Sequence, residues 1–237
     1  MSYIRLVKTG EAADGAADGA AEGMVDTAAL PMIVHADDSL LVLDKPAGLL
    51  TQPGRGEHLH DSLATRVQAA FGDALIVHRL DMATSGLIVL ARGQEMHARL
   101  SRQFRERRVQ KHYVAVVDGR VAAEHGEIDL PLAADWPNRP RQKVDAVDGK
   151  PSRTLYRVIG HDLAQGCTRV SLQPLTGRSH QLRVHLLALG HPIVGDALYA
   201  DVRVRDAAAR MLLHACELAF EHPLDGRALV FRSTPPF

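Results

Sequence analysis

Short apolar runs of strand length recur along most of this chain, and they restrict its possible folds more than any other feature. We find about ten such runs but only two or three segments with helical spacing. Consecutive parallel strands need a crossover connection of roughly a dozen residues or more, usually a helix, and few of these runs are joined in that way. The pattern therefore predicts an α+β fold, in which a mostly antiparallel, mixed β-sheet core carries a few flanking helices.

The clearest predicted strands form a hairpin near residue 32, where two apolar runs flank the polar turn Asp37-Asp38-Ser39. The segment Lys45-Pro46-Ala47-Gly48 ends the second strand, because proline lacks the amide hydrogen that a strand ladder needs. Another strand is predicted at 87–91, in an apolar run that Gly86 introduces. Further strands are predicted at 111–119, 127–132, 152–159, 168–175, 212–220 and 227–231.

Three segments have the apolar spacing of helices. The first begins after Asp61 or Ser62 as its N-cap, and the second covers 94–108. In the third, Ser179 is the predicted N-cap and Gly190 the predicted stop. The side chains of the second and third helices that we expect to face the core are Met96, Leu100, Phe104, Leu182, Leu186 and Leu189.

Residues 10–29 consist mostly of Gly, Ala, Asp and Glu, a composition that supplies little apolar surface to bury. We therefore predict a disordered, acidic, Ala/Gly-rich tail at 1–30, followed by a single domain at 31–237 that no linker divides. Cys167 and Cys216 lack the spacing of a disulfide or metal framework, so two buried free thiols are expected. No apolar run approaches about 18 residues and no signal-peptide core is present, so the expected location is cytoplasmic.

Positive charge is concentrated in two places, although the whole chain has 28 Lys and Arg against 28 Asp and Glu. Residues 92–111 contain seven basic residues and two acidic ones. A second group follows at Arg139, Arg141 and Lys143. Such runs are often solvated surface, but two of them in a neutral protein with an acidic tail favour a polarised surface that binds a phosphate backbone.

One carboxylate, Asp81, lies in a short polar segment between two apolar runs, with Arg79 before it and Thr84 and Ser85 after it. A carboxylate held between apolar walls is suited to act as a catalytic acid, base or nucleophile. An aspartate between strands is also common as a turn or ion-pair residue. Residue types alone leave both interpretations open.

Several other kinds of chemistry are disfavoured because their motifs are missing. The sequence has no HExxH, GxSxG, P-loop or GxGxxG segment, which argues against a zinc protease, a serine hydrolase, an NTPase and a dinucleotide enzyme. His180 and His185 are five residues apart, so they do not share a helical face as metal ligands. In His78-Arg79-Leu80-Asp81, Leu80 separates the arginine and aspartate that are adjacent in a kinase catalytic loop. We therefore expect no dedicated metal site.

Four separated motifs together resemble the RluA family of pseudouridine synthases. They are Leu43-Asp44-Lys45-Pro46-Ala47-Gly48, the segment 78–87, Lys111-His112-Tyr113, and Gly177-Arg178-Ser179-His180-Gln181-Leu182-Arg183-Val184-His185. The resemblance implies a pseudouridine synthase-like catalytic domain that isomerises uridine in RNA without a cofactor or metal. The segment 135–151 is similar to a dual-specificity member of the family, which modifies 23S ribosomal RNA and the anticodon stem-loop of certain tRNAs.

The resemblance also implies a role for each site residue. Asp81 would supply the essential carboxylate, either by attacking C1′ of the ribose or by removing the C2′ proton. Arg183 would pair with Asp81, and Tyr113 would stack on the target base and could assist removal of the proton from C5. Arg79 would occupy the space that the flipped uridine leaves. The residues expected to bind RNA are Arg79, Arg102, Arg105, Arg108, Arg139, Arg141, Lys143 and Arg178.

We further expect a monomer with no obligate protein partner and no N-terminal S4 RNA-binding domain. Two alternatives to this enzyme stay open. A non-catalytic RNA-binding or chaperone module would keep the basic clusters but would not need Asp81. A metal-dependent RNA hydrolase would depend on its metal and would shorten its RNA, whereas an isomerase leaves the RNA length unchanged.

Overall fold

A ten-stranded sheet forms the centre of the computed structural model, which describes residues 3–4, 25–26, 30–56 and 59–237. The strands are β1 (Tyr3–Ile4), β2 (Val25–Asp26), β3 (Met32–Ala36), β4 (Leu40–Lys45), β5 (Ala74–Ile76), β6 (Ser85–Arg92), β7 (Gln110–Asp118), β8 (His125–Asp129), β9 (Leu132–Ala134), β10 (Gln142–Val144), β11 (Arg153–Asp162), β12 (Cys167–Pro174), β13 (Leu213–Glu221) and β14 (Ala228–Arg232). The main order is β3-β4-β6-β13-β7-β12-β11-β8, and β5 also pairs with β6 and β14 with β13. Two separate pairs, β1 with β2 and β9 with β10, complete the described strands.

Most neighbouring strands are antiparallel, including the predicted hairpin of β3 and β4. Within the described sheet, the parallel pair is β6 with β13, where Ser85 lies opposite His214 and Gly86 opposite Ala215. Gly86 has a φ of +113°, and a Cβ atom there would overlap the backbone of Ala215. The close contact of β6 with β13 therefore requires glycine. The prediction of an α+β fold with a mostly antiparallel, mixed sheet is confirmed.

Four helices lie against the sheet in the described residues: α1 (Leu63–Ala70), α2 (Gly93–Arg105), α3 (Gln181–Ala188) and α4 (Val202–Asp206). Ser62 is the N-cap of α1, as predicted. Its hydroxyl accepts a hydrogen bond from the Thr65 amide at 3.2 Å, and the Thr65 hydroxyl accepts one from the Ser62 amide at 3.0 Å. These reciprocal bonds satisfy two amide groups that the first turn leaves without partners.

Helix α2 carries the predicted apolar stripe, with Met96 and Leu100 buried and Phe104 packed against the same cluster. It ends three residues earlier than the predicted range 94–108. The backbone of Arg107 has a φ of +58°, which a helix cannot accommodate, so the chain turns there toward β7. Helical spacing identified the element, but it did not identify this turn.

The predicted N-cap of α3 is wrong, because His180 rather than Ser179 occupies that position, with a φ of 55°. Gln181 holds the turn before the helix instead. Its side-chain oxygen accepts hydrogen bonds from the Thr176 hydroxyl at 2.7 Å and the Arg178 amide at 3.0 Å. This buried glutamine orders the loop before the helix, while the first turn of α3 has no side-chain cap.

The predicted strand 127–132 is two strands in the structure. Strand β8 pairs with β11, whereas β9 pairs with β10 in a separate hairpin. Pro131 lies between them and has no amide hydrogen to continue the ladder. The amide of Leu132 donates instead to the carbonyl oxygen of Lys150 at 3.0 Å. The alternating pattern did not show this break.

Apolar side chains fill both faces of the sheet. Along β6, Leu87 and Val89 pack in one cluster while Ile88 and Leu90 pack in another on the opposite face. A third cluster lies under α3, where Leu182 and Leu186 are buried as predicted. Each fully buried side chain of this size contributes about 1.5–3 kcal/mol to folding. Leu189, which was predicted to face the core, is exposed.

Two other predictions about single segments are corrected or left open. Cys167 and Cys216 are free thiols, but both are half-buried rather than buried. The predicted disordered tail at 1–30 lies mostly outside the described residues, so it stays a prediction. Within this range the structure describes the pairing of β1 with β2. Among the residues that are described, we find no helix with the length and apolar character needed to span a membrane.

Candidate active site

A cleft of about 640 Å³ opens where the loop before β6, strand β7 and helix α3 meet. All three residues predicted to be catalytic line it: Asp81 from the loop, Tyr113 from β7 and Arg183 from α3. These residues are far apart in the sequence. The sheet brings them together because β13 pairs with both β6 and β7. We therefore take this cleft as the candidate active site.

The loop that carries Asp81 is held on both sides by the segment after β4. The Thr51 hydroxyl donates to the Leu80 carbonyl oxygen at 2.7 Å and accepts from the Leu80 amide at 3.2 Å. On the other side, the Gly48 amide donates to the Met82 carbonyl oxygen at 2.8 Å. Both neighbours of Asp81 are thus tied to a second segment, which restricts the position of the carboxylate.

Lys45 lies beneath this loop with its side chain fully buried. Its Nζ donates to the carbonyl oxygens of Leu49 at 2.7 Å, Pro46 at 2.8 Å and Met82 at 3.3 Å. Burial lowers the pKa of this amine to about 8, although the charge of Asp81 acts in the opposite direction. Lys45 therefore links the end of β4 to the loop through hydrogen bonds in a region of low dielectric constant.

His78 supports the loop from its other end. Its Nε2 accepts a hydrogen bond from the Val89 amide at 3.1 Å, and its ring stacks on Phe104 with the ring centroids 4.5 Å apart. Burial lowers the pKa of His78 to about 3. A nitrogen that accepts from an amide cannot itself carry a proton, so the hydrogen bond also requires a neutral ring.

Arg183 lies between two carboxylates. Its Nε and Nη2 donate to Oδ2 and Oδ1 of Asp196 at 2.8 and 2.6 Å, and its Nη1 lies 3.5 Å from Oδ2 of Asp81. Burial alone would lower the pKa of the guanidinium, but the hydrogen bonds and charge of Asp196 and the charge of Asp81 give a net rise. Arg183 is therefore a permanent positive charge directed at Asp81, as the family resemblance implied.

Asp196 was not predicted to belong to the site, yet it determines how Arg183 is oriented. Its side chain is buried, and its Oδ1 also accepts hydrogen bonds from the amides of Leu198 and Tyr199 at 2.9 and 3.2 Å. A buried carboxylate is stable only when its oxygens have such partners. The bidentate bond to Arg183 fixes the plane of the guanidinium and therefore the direction of Nη1.

His180 and Tyr199 complete the wall beside Asp81. His180 Nε2 lies 4.0 Å from Asp81 Oδ1, and His180 Nδ1 lies 2.7 Å from the Tyr199 hydroxyl oxygen. Burial lowers the pKa of His180, and the charge of Asp81 offsets this only in part. The imidazole is therefore neutral at neutral pH. The Tyr199 ring centroid also lies 4.9 Å from the guanidinium carbon of Arg183, a cation–π contact.

Tyr113 and Lys111 project from the same face of β7, because they are two residues apart, and both line the cleft. Burial, followed by the charge of Asp81, raises the pKa of the Tyr113 hydroxyl. Burial lowers the pKa of the Lys111 amine. Tyr113 is therefore a neutral phenol at neutral pH, with an aromatic face available to the cleft.

The arginines predicted to bind RNA divide into two groups. Arg102 and Arg108 lie outside the main cleft, beside a smaller cavity. Arg102 Nε donates to Glu106 at 2.6 Å, and Arg108 Nη1 donates to Glu221 at 2.9 Å, so their charges are largely compensated. Those that line the main cleft are Arg79, Arg105 and Arg178.

The other predicted basic residues lie on the hairpin of β9 and β10, outside the lining of the cleft. They are Arg139, Arg141 and Lys143. The hairpin is nevertheless attached to the site, since the Gln142 amide donates to the Tyr199 hydroxyl oxygen at 2.7 Å. The second basic group thus borders the cleft rather than forming it.

The arginines of the cleft can bind a polyanion, and the Asp81 carboxylate can react with a substrate that enters the cleft. Within 30–56 and 59–237, no group of three or more His, Cys, Asp or Glu side chains is arranged to hold a metal ion. Sequence reasoning missed Asp196 and Tyr199, and it placed Lys111 and His180 in motifs without giving them a role in the site. Asp196 offered one signal, as a lone carboxylate directly after the apolar segment Ile193-Val194-Gly195, but the sequence does not show that its partner is Arg183.

Comparison with known proteins agrees with this geometry. Residues 39–188 match a family model described as RNA pseudouridylate synthase. Among curated proteins, the chain is 50% identical over 206 residues to the dual-specificity RNA pseudouridine synthase RluA of Escherichia coli K12, covering 87% of this chain and 94% of that protein. It is 52% identical over 194 residues to the protein of the same name from Vibrio parahaemolyticus, covering 81% and 78%.

Solved structures that resemble this chain also belong to RNA pseudouridylate synthases. The human RNA pseudouridylate synthase domain containing 1 superimposes with a TM-score of 0.73 at 32% identity, covering 86% of this chain and 83% of that one. The human RNA pseudouridylate synthase domain containing 4 has a TM-score of 0.69 at 25% identity, covering 86% and 88%. The chain therefore belongs to the RNA pseudouridylate synthase family.

Proposed function

We propose that this enzyme, an RNA pseudouridine synthase, isomerises its target uridines in the cleft around Asp81. The observation that carries the assignment is the position of Arg183, which Asp196 holds with Nη1 3.5 Å from the Asp81 carboxylate. Tyr113 lies in the same cleft, and Arg79, Arg105 and Arg178 also line it. A fixed carboxylate, a permanent positive charge and an aromatic face are the groups that this isomerisation needs.

The reaction balances without a co-reactant, because it is an isomerisation. The bond between N1 of uracil and C1′ of ribose breaks, the uracil rotates, and a bond between C5 and C1′ forms. The proton on C5 is released and N1 gains a proton. Asp81 acts either by attacking C1′ or by removing the C2′ proton. Both routes use the carboxylate as an anion, and the guanidinium of Arg183 is placed to attract that negative charge.

The ring of Tyr113 is the part that we propose to contact the base. Burial raises the pKa of its hydroxyl, so the phenol is protonated at neutral pH. An aromatic face in the cleft is well suited to stack on uracil. We therefore propose that Tyr113 holds the base while it rotates.

The uridine must leave its stacked loop to reach Asp81, because the carboxylate lies inside the cleft. Arg79 is exposed at the cleft, two residues before Asp81. It is the side chain proposed to fill the space that the flipped base leaves. Arg105 and Arg178, which also line the cleft, are proposed to bind phosphates, a contact that positions RNA without reading its sequence.

The proposed substrates are 23S ribosomal RNA and the anticodon stem-loop of tRNA. Relatives that are 50% identical over most of this chain are named dual-specificity RNA pseudouridine synthases, which supports two kinds of substrate here. We propose that the enzyme acts as a monomer on these RNAs in the cytoplasm. RNA bases in loops are accessible for flipping, whereas those in a duplex must first unpair.

The proposal is tested by incubating the full-length protein with transcripts of both RNAs and mapping pseudouridine by carbodiimide-dependent stops of reverse transcription. We expect stops at defined loop uridines with the wild type and none with Asp81→Asn. The exposed Asp38 provides the matched control, and Asp38→Asn should give the wild-type pattern. Stops that persist with Asp81→Asn would contradict the assigned site, and shortened RNA would indicate a hydrolase.

A further inference from the structure

Trp136, at the tip of the β9–β10 hairpin, has no role in the reaction derived above. It is the one tryptophan of the chain, and it is 67% exposed. Indole is large and mainly apolar, so a folded protein normally covers it. An exposed tryptophan on a hairpin that is hydrogen-bonded to Tyr199 beside the site therefore indicates a contact surface.

One face of the indole is already occupied. The guanidinium carbon of Arg139 lies 3.4 Å from the centroid of the Trp136 ring, a stacked cation–π contact. Because Trp136 is still two thirds exposed with this face covered, its opposite face must be open to solvent. Trp136 thus presents one open aromatic face, with the guanidinium of Arg139 stacked on the other face.

The surface is held in place before any ligand binds. The Asp135 amide donates to the Arg141 carbonyl oxygen at 3.0 Å, and the Arg141 amide donates to the Asn138 carbonyl oxygen at 3.0 Å. The side chain of Asn138 also donates to Asp135 Oδ2 at 2.9 Å. These bonds close the turn on which Trp136 lies, so little conformational entropy remains to be lost when a ligand stacks on it.

The charge around the indole is available to a ligand. Within the described part of the chain, Arg139 and Arg141 form no ion pair, whereas Lys143 Nζ lies 3.0 Å from Asp145 Oδ2. Two uncompensated arginines beside an aromatic face are a combination typical of sites for unpaired nucleic acid, where bases stack and phosphates bind the cations.

The hairpin is connected to the catalytic residues by a short chain of hydrogen bonds. The Gln142 amide donates to the Tyr199 hydroxyl oxygen at 2.7 Å, and Tyr199 in turn contacts His180 Nδ1 at 2.7 Å. His180 Nε2 lies 4.0 Å from Asp81. The side chains of Tyr199 and His180 are thus all that separates the hairpin backbone from Asp81 along this path.

We propose that Trp136 stacks on a second unpaired base of the RNA, outside the cleft, while Arg139 and Arg141 bind the phosphates beside that base. This inference rests on the proposed function, because it needs an RNA loop in the cleft. It adds a contact that would distinguish substrates by whether a further loop base is free to stack, rather than by the identity of that base.

The lone tryptophan allows a direct test by intrinsic fluorescence. Full-length Asp81→Asn protein, which should bind without turnover, is titrated with an anticodon stem-loop transcript while anisotropy of the labelled RNA reports binding. We expect saturable quenching that follows the binding curve, because a stacked base quenches indole emission. A fully paired duplex, measured at concentrations where it is bound, should quench little. Binding of the stem-loop without quenching, or equal quenching by the bound duplex, would overturn the inference.

A second measurement uses variants of the otherwise wild-type chain. Trp136→Ala should weaken RNA binding by roughly 5- to 100-fold, the range for loss of one base–aromatic stack, with Trp136→Phe in between. The control Val147→Ala changes another exposed apolar residue, 89% exposed, and should leave binding unchanged. Unchanged binding with Trp136→Ala would contradict the stacking role alone. Failure of the wild type to form pseudouridine would contradict the proposed function instead.

Discussion

Asp196 binds Arg183 through two hydrogen bonds of 2.8 and 2.6 Å, and both side chains are buried. This pair directs the remaining nitrogen of Arg183 toward Asp81. Removing one partner leaves a buried charge without compensation, so Asp196→Ala should lower the free energy of unfolding by about 3–5 kcal/mol. Urea denaturation measures the loss, and a variant as stable as the wild type would contradict the pairing.

The role of this pair in catalysis can be separated from its role in stability. Replacing both charges by apolar residues, as in Arg183→Met with Asp196→Leu, should restore much of the stability that Asp196→Ala loses. The double variant should nevertheless have a greatly reduced kcat, because Asp81 then has no facing guanidinium. A double variant that is stable and fully active would show that Arg183 is not needed at Asp81.

The two groups of arginines should respond differently to substitution. Arg178 lines the cleft, so Arg178→Gln should weaken RNA binding and reduce the salt dependence of the binding constant by about one phosphate contact. Arg102 is paired with Glu106 outside the cleft, so Arg102→Gln is the matched control. It should change neither RNA binding nor the salt dependence of the binding constant. Equal effects of the two variants, measured over a range of salt concentrations, would contradict the position of the binding surface.

His78 should make the protein sensitive to acid. Its pKa is lowered to about 3 in the folded state against about 6.5 when unfolded, so the unfolded chain binds the proton first. Stability should therefore fall as the pH drops from about 6.5 toward 3, with a contribution of roughly 1.4 kcal/mol per pH unit. In His78→Gln, which keeps an acceptor for the Val89 amide, unfolding measurements should show a smaller slope in this window.

Lys45 should produce a dependence of the same sign on the alkaline side. Its pKa is about 8 in the folded state and about 10.4 when unfolded, so the unfolded chain binds more protons between these values. The stability should rise with pH from about 8 to 10 by up to roughly 1.4 kcal/mol per pH unit, as the buried amine loses its charge. Lys45→Met should lack this rise. An identical slope in both proteins would contradict a charged Lys45.

The sequence predicted the elements of the fold better than their ends. The longer strands and helices were found because apolar side chains recur with the period of the element, as Met96 and Leu100 do on α2. The short elements β5, β10 and α4 were not predicted. The break at Pro131 has a local cause, the missing amide hydrogen of proline, which the apolar alternation concealed. The positive φ of Arg107 has no comparable signal in the sequence. His180 became the cap of α3 because Gln181, a buried side chain, holds the preceding turn.

In the site, too, the sequence predicted single residues better than the contacts between them. Asp81, Tyr113 and Arg183 were found from motifs that resemble a known family, and the structure places all three in one cleft. Asp196 was missed because its importance comes from its contact with Arg183, which only the fold creates. Arg102 and Arg105 lie on the same helix, yet only Arg105 lines the cleft. Net charge along a segment does not show which of its faces borders a substrate.

The most direct test of the central claim is the single-turnover release of tritium from RNA labelled at C5 of uridine, since that proton leaves when the C5–C1′ bond forms. Asp81→Asn should slow the release by at least about 100-fold. Asp38→Asn, an exposed carboxylate changed in the same way, should leave the rate unchanged. Release by Asp81→Asn at a rate close to that of the wild type would contradict the assignment of Asp81 as the essential carboxylate.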